Sequence, residues 1–425
     1  MADAAGGGRN LRVDGDRLWR SLMDMARVGA TEKGGVCRLA LTDLDKEGRD
    51  LFVRWCEEAG CTISVDRMGN IFARRPGRNP DAQPVMTGSH LDSQPTGGKY
   101  DGAYGVLAGL EVVRTLNDLG VETEAPVEVA VWTNEEGSRF APAMVASGVF
   151  AGAFDLEHGL SRPDPEGRTL GEELERIGYA GDLECGNREL AAYFEAHIEQ
   201  GPILEDEEKT IGVVSGGQAQ RWYEITMTGQ EAHAGPTPML TRRDALLGAA
   251  RAVDAVNRIG LSHQPGACAT VGMLDARPNS RNVIPGSVFF TVDFRHPDDS
   301  VLSVMDGELR TVCEAIAADI ALELEFEEIW HSPAVAFDAA CVEAVRSGAK
   351  ECEYTYMDIV SGAGHDACYV ARVAPTGMIF VPCEGGISHN EIESATSEDL
   401  EAGCNVLLHV ILEFAGPARR GSSWA

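Results

Sequence analysis

The sequence predicts an α/β protein in which a mostly parallel-sheet domain is interrupted by a smaller β-α-β-β-α-β domain. Three observations predict it. The chain has 425 residues, 44% of them hydrophobic, which is core material for two or three domains. Residues 85–133 run strand, helix, strand, and the right-handed crossover this implies gives parallel pairing. From about residue 216 to 330 the rhythm changes to half-buried alternating strands separated by two long helices.

In chain order, residues 1–10 (MADAAGGGRN) and 416–425 (GPARRGSSWA) read as loose ends. Residues 85–89 form a short buried strand and residues 127–133 a second one. Between them, residues 103–119 carry Val106, Leu110, Val113 and Leu116 at helical spacing, with Gly120 as the stop. Within the insert, residues 221–228, 269–274, 287–294 and 322–328 read as strands. Residues 241–259 read as a helix that opens on a capping-box-like Thr241 and Asp244 and stops at Gly260. Residues 301–318 are the second helix. This order is the split, ferredoxin-like unit. The predicted boundaries are 1–215 for the first part of the main domain, 216–330 for the insert and 331–425 for the second part.

Charge excludes one class of ligand. The chain carries 36 basic and 67 acidic side chains, a formal net charge of −31. No basic stripe is available to neutralise phosphates, so no nucleic acid is expected as partner. Only five of the basic residues are Lys. The acidic excess reads as a solubilising surface or as adaptation to high salt. The N-terminus has no apolar run behind a basic start, and residues 140–154 are too short an uncharged stretch to span a bilayer. The eleven Cys residues contain no CxxC pair and read as reduced core fillers. A cytoplasmic protein with no membrane partner is expected.

Five segments combine ligand-type side chains with strand-end or Gly-rich context: residues 87–105, 132–140, 196–205, 232–236 with 277–286, and 386–391. His90 follows the first strand, with Asp92 two residues on and on the same side of an extended chain; that carboxylate is a natural partner to fix the imidazole's tautomer. Asp101 lies in a Gly-flanked loop, where a carboxylate could bridge two cations. Glu135 and Glu136 point in different directions from one strand end, which suits a metal ligand beside a general base. His197 and His389 complete three imidazoles with two carboxylates, a mixed N and O donor set for two metal ions.

GSHLDSQPTGGKYDGAYGVLAGLEV, NEEGSRF, HIEQGPILE, GQEAHAGPTPM, RPNSRNVIPG, DFRHPD, and SGAGHDA followed by SHNE occur in that order. Over residues 15–415 this pattern resembles the M20 metallopeptidase-like amidohydrolases. The similarity is to the hydantoinase/carbamoylase branch, which includes N-carbamoyl-L-amino acid hydrolases, β-ureidopropionases and allantoate amidohydrolases. The resemblance implies a catalytic domain holding two divalent cations (Zn, Mn, Co or Ni). His90, Asp101 and His197 would hold one; Asp101, Glu136 and His389 would hold the other. It implies Glu135 as general base and His233 as oxyanion stabiliser reaching across a dimer. Asn282 and Arg295 would bind the substrate carboxylate, and Gln200 the ureido group. His365 would shape the pocket without ligating a metal.

The resemblance further implies hydrolysis of the ureido C–N bond of a small anionic N-carbamoyl-L-amino acid, and a homodimer formed through a lid at residues 216–330. Allantoate or another ureido acid is the alternative substrate. A peptidase or aminoacylase is opposed by His197 and Gln200 in HIEQG. A non-catalytic dimeric binding protein is opposed by the retention of all five ligand positions and Glu135.

Overall fold

The computed structural model describes residues 11–416; the loose ends expected at either terminus lie outside the described residues, save Gly416. The chain divides into two compact units, Gly217–Val335 and the remainder up to Gly216 and from Ala336.

The first unit is built on a mixed sheet, nine-stranded among the described residues. From one edge seven of its strands run Thr62–Val65, Ile71–Arg75, Val127–Trp132, Val85–His90, Ala192–Ile198, Thr376–Val381 and Ile211–Gly217, and Val335–Ala336 and Tyr356–Ser361 both pair with the last. The four central strands pair in parallel, as the strand-helix-strand order predicts. The outer pairings are antiparallel. The connection over residues 66–70 is too short for a parallel crossover, so Thr62–Val65 and Ile71–Arg75 can only form a hairpin.

Every residue of the four parallel strands is buried, which is why they read as near-continuous apolar runs rather than alternating ones. The Ala103–Asp118 and Ser397–Ala415 helices pack against them. The first of these helices lies very close: a Cβ at Gly105 would overlap the Ala196 carbonyl, and one at Gly109 would come within 2.9 Å of Thr87 and Val129. The parallel strands all point their carboxyl ends the same way, with His90 in register with Trp132 and Phe380 with His197. Open α/β sheets place ligands at that edge.

The second unit is an antiparallel sheet in the order Leu274–Arg277, Ser287–His296, Ala219–Thr228, Glu323–Ser332. The Ala245–Ser262 and Asp299–Ile320 helices pack on it. The Ser287–His296 strand alternates half-buried and buried residues without a break, the mark of a sheet with one covered face. Three local expectations are corrected. The 269–274 strand is two short pieces, Cys268–Thr270 and Leu274–Arg277, both paired with Ser287–His296 and separated around Gly272. The first helix starts later than Thr241, because Asp244 is the cap and accepts from the Leu246 and Leu247 amides. Gly260 does not stop that helix: it is buried inside it, where a Cβ would crowd Ala269.

All eleven cysteines are free. No helix among the described residues is long and apolar enough to cross a membrane.

Candidate metal centre

The carboxyl ends of the parallel strands gather the ligand-type residues of the first unit. His90 ends one strand and His197 sits near the end of another. Asp101 precedes the Ala103–Asp118 helix, and the chain enters that helix through Gly102 at φ 65°. Only a residue without Cβ fits there, since a Cβ would run into the His90 ring. Beyond the Val127–Trp132 strand, Asn134 and Gly137 adopt left-handed φ of 57° and 66°, so Glu135 and Glu136 sit on a tight turn between them. His389 (φ 53°) and Gln200 (φ 59°) share that unusual conformation. Non-glycine residues held there cluster at functional sites.

Asp101 is the hub. Its Oδ1 lies 3.3 Å from His197 Nε2 and 3.5 Å from His90 Nε2, and its Oδ2 lies 3.4 Å from His389 Nε2. His389 Nε2 is also 3.3 Å from Glu136 Oε2, and His90 Nε2 is 3.5 Å from Glu135 Oε2. His90, Asp101 and His197 form one group able to hold a metal, and Asp101, Glu136 and His389 form another. These are the two sets expected from the sequence, joined at the expected carboxylate.

The imidazoles are oriented for ligation. His90 Nδ1 lies 2.8 Å from the Asp92 carbonyl and His197 Nδ1 lies 2.9 Å from the Ile198 carbonyl. A carbonyl only accepts, so each Nδ1 carries the proton and each Nε2 lone pair faces Asp101. Asp92 therefore does set the His90 tautomer, but through its backbone oxygen. Its carboxylate lies 3.9 Å from His90 Nδ1 and instead accepts the backbone amides of Glu135 and Glu136, both at 3.2 Å. The expectation of a carboxylate–imidazole bond is corrected to that extent: the extended chain ends at His90, so the Asp92 side chain turns under the Glu135–Glu136 turn.

The electrostatics of the cluster fit a divalent cation. Burial pushes the Glu135 carboxyl well above its ordinary range; His90 opposes this, while Asp366, Glu136 and Asp101 add to it. Glu136 is pushed up to about 7, chiefly by burial and the Asp101 charge. Burial would also raise Asp101, but its close contacts with the His197, His389 and His90 rings outweigh it and hold that carboxyl well below its ordinary value. Burial works against charge on His90 and His197, and the surrounding carboxylates overcome it and raise both. Buried carboxylates that repel one another around imidazole lone pairs fit divalent first-row ions.

A third group, Glu195, His197 and His365, also has ligand spacing. It fits a metal less well. Glu195 is already occupied as an acceptor, by Ser89 Oγ at 2.6 Å and the Ala367 amide at 3.0 Å. The centroid of the His365 ring lies 4.5 Å from that of the His197 ring. Sequence reasoning missed Glu195, Ser388 and Glu393. Ser388 and Glu393 lie within or just past the SHNE motif, the one available signal. Gln200, expected at the ureido group, turns its amide nitrogen to Asp101 Oδ2 at 2.8 Å.

The remaining expected residues belong to the second unit. His233 and Val283 pair in a short ribbon, and the Ala234 amide donates to the Asn282 carbonyl at 2.9 Å, so His233 and Asn282 are neighbours. His233 Nδ1 accepts from the Gly235 amide at 3.0 Å. The neutral ring then carries its proton on Nε2, as a donor. Arg295 is on the Ser287–His296 strand and pairs with Asp293 at 2.7 Å.

Residues 86–413 match the sequence profile of peptidase family M20/M25/M40. An N-carbamoyl-L-amino-acid amidohydrolase from Rhizobium meliloti is 54% identical over 96% of this chain and 98% of its own length. An N-carbamoyl-L-amino acid amidohydrolase from Geobacillus stearothermophilus is 37% identical over 95% of this chain and 99% of its own. The crystal structure of a hydantoinase/carbamoylase family amidase from Burkholderia vietnamiensis is 69% identical, with a TM-score of 0.95 over 96% of this chain and 98% of that one.

Proposed function

The chain belongs to peptidase family M20/M25/M40, and on that premise we propose that it hydrolyses N-carbamoyl-L-amino acids at a site holding two divalent cations. The observation that carries this reading is Asp101, shared between two mixed N and O donor groups with Glu135 beside them. The names of the two relatives, both similar to this chain over nearly its whole length, supply the substrate class.

His90, Asp101 and His197 would hold one cation and Asp101, Glu136 and His389 the other. Zn, Mn, Co or Ni suits such donors. Divalent ions held there would supply Lewis acidity, lowering the pKa of water and polarising a carbonyl. Glu135 takes the proton of the attacking water and returns it to the departing nitrogen. A carboxyl raised by burial is suited to that two-way transfer near neutral pH. The His233 Nε2–H donates to the oxygen on which charge develops, a preorganised donor of the kind that dominates such reactions. Arg295 and Asn282 bind the substrate carboxylate, for which the planar guanidinium fork is apt. Gln200, beside Asp101, contacts the ureido group. The balance is R–NH–CO–NH2 plus water giving R–NH2, ammonia and carbon dioxide.

The Gly217–Val335 unit serves as the lid and as the dimer contact, and His233 acts on the site of a second copy of the chain. Ammonia release from metal-loaded protein tests the reading, over a panel of N-carbamoyl-L-amino acids, allantoate, ureidoglycolate and N-acetyl amino acids. Turnover should be highest on N-carbamoyl-L-amino acids. Preference for allantoate would move the substrate within the ureido acids; turnover of N-acetyl amino acids alone would overturn the reading.

A further inference from the structure

Glu393 is 3% exposed, yet it sits in a loop and none of the roles above uses it. Its carboxylate is fully engaged. Oε1 accepts the backbone amides of Tyr100 at 2.8 Å and Asp101 at 3.2 Å. Oε2 lies 2.8 Å from Ser388 Oγ, one residue before His389. One side chain thus ties the loop carrying Asp101 to the loop carrying His389.

Ser388 and Gln200 close the connection into a ring. The Gln200 amide nitrogen lies 2.8 Å from Asp101 Oδ2 and 3.2 Å from Ser388 Oγ. The opposite amide orientation would set an oxygen against a carboxylate, so this one is fixed by chemistry. Ser388 Oγ has a single proton and faces both Glu393 Oε2 and, at 3.1 Å, Asp101 Oδ2. The shorter contact assigns that proton to Glu393. Gly98 leaves the space: a Cβ there would overlap the Glu393 carboxyl. Three loops, around residues 98–101, 200 and 388–393, are locked to one another around the shared carboxylate.

We propose that Glu393 is a positioning residue that sets Asp101 and His389 at the correct separation for the cation they share with Glu136. The inference rests on the two-cation reading. His90 and His197 are held at Nδ1 by the Asp92 and Ile198 carbonyls, whereas Glu393 ties together the loops that carry both Asp101 and His389. The set built on Asp101, Glu136 and His389 therefore depends on Glu393 most. Loss of residues that orient metal ligands lowers metal affinity by about 10- to 100-fold.

The test is equilibrium dialysis of the full chain against buffered zinc, for wild type and Glu393→Ala in parallel, with thermal melting recorded on both. Wild type should bind two equivalents. The variant should keep the tighter one and bind the other about 10- to 100-fold more weakly. Two equivalents at unchanged affinity would overturn the positioning role while leaving the two-cation reading intact. Equal weakening of both sites would overturn it too, because general loosening of the fold does that. A single equivalent in wild type would overturn the two-cation reading and this inference with it. If Glu393→Ala does not fold, Gly98→Ala, which drives the carboxyl from its place, should give the same selective loss.

Discussion

At the scale of single residues, the proposed site separates a proton carrier, Glu135, from a metal ligand, Glu136, on one turn. Glu135→Gln keeps the shape and the backbone amides bound by Asp92 but removes the base. Turnover should fall by about 100- to 10,000-fold, with metal content by elemental analysis unchanged. Loss of bound metal in that variant would make Glu135 a ligand and break the division of labour. The shifted groups also set the pH behaviour of chelator-stripped protein. Glu136 has its ordinary value of 4.5 in the unfolded chain and about 7 in the fold, so the folded form holds the proton more tightly. The contribution is lost as pH rises from about 4.5 to about 7. His90 and His197, raised above 6.5, contribute stability that is lost above that value. Both signs agree: the folded state binds more protons than the unfolded one, so stability falls with pH. The melting temperature of stripped protein should fall from pH 6 to 8, while cation affinity should rise as the imidazoles lose their protons. A melting temperature that rises over that interval would contradict the assignment. The proposed ligands His90, Asp101, Glu136, His197 and His389 were legible because such residue types stand in segments of strand-end or Gly-rich context. Glu393 was not, because its partners are the amides of residues 100 and 101, nearly three hundred positions away, and a Glu in a loop reads as solvated surface.

At the scale of elements, the Ala103–Asp118 helix sets where Asp101 can go. Its Gly105 lets the helix backbone approach the strand carrying His197, with the Ala196 carbonyl in the space a Cβ would fill. Gly105→Ala should destabilise the protein by about 1–3 kcal/mol and reduce activity through the Asp101 loop, seen by thermal melting and ammonia release together. Wild-type behaviour in both would mean that the helix position is not constraining. The helices and central strands were legible because apolar period and burial coincide there. What was missed has a local cause in each case. Asp244 caps two amides where Thr241 caps none of that helix. Gly260 is a packing residue, which sequence alone cannot separate from a stop. The antiparallel Thr62–Val65 and Ile71–Arg75 pair follows from its short connection rather than from any pattern within the strands.

At the scale of the whole molecule, a net charge of −31 surrounds a site proposed to take an anion. Beyond roughly 10 Å at moderate salt such a field is screened, so the recognition proposed here is local, through the cations and Arg295. If His233 acts on a second copy, mixing inactive Glu135→Gln and His233→Ala proteins should restore part of the activity through hybrid dimers. No recovery despite verified subunit exchange would confine His233 to its own chain. The central claim is that two cations sharing Asp101 make this chain a ureido-acid hydrolase. Its most direct test is to strip the protein with chelator and return zinc or manganese in steps, recording bound metal and ammonia released from an N-carbamoyl-L-amino acid at each step. Ammonia release should climb as the second equivalent per chain fills. Full activity at one equivalent, or no ammonia release with two equivalents bound, would contradict it.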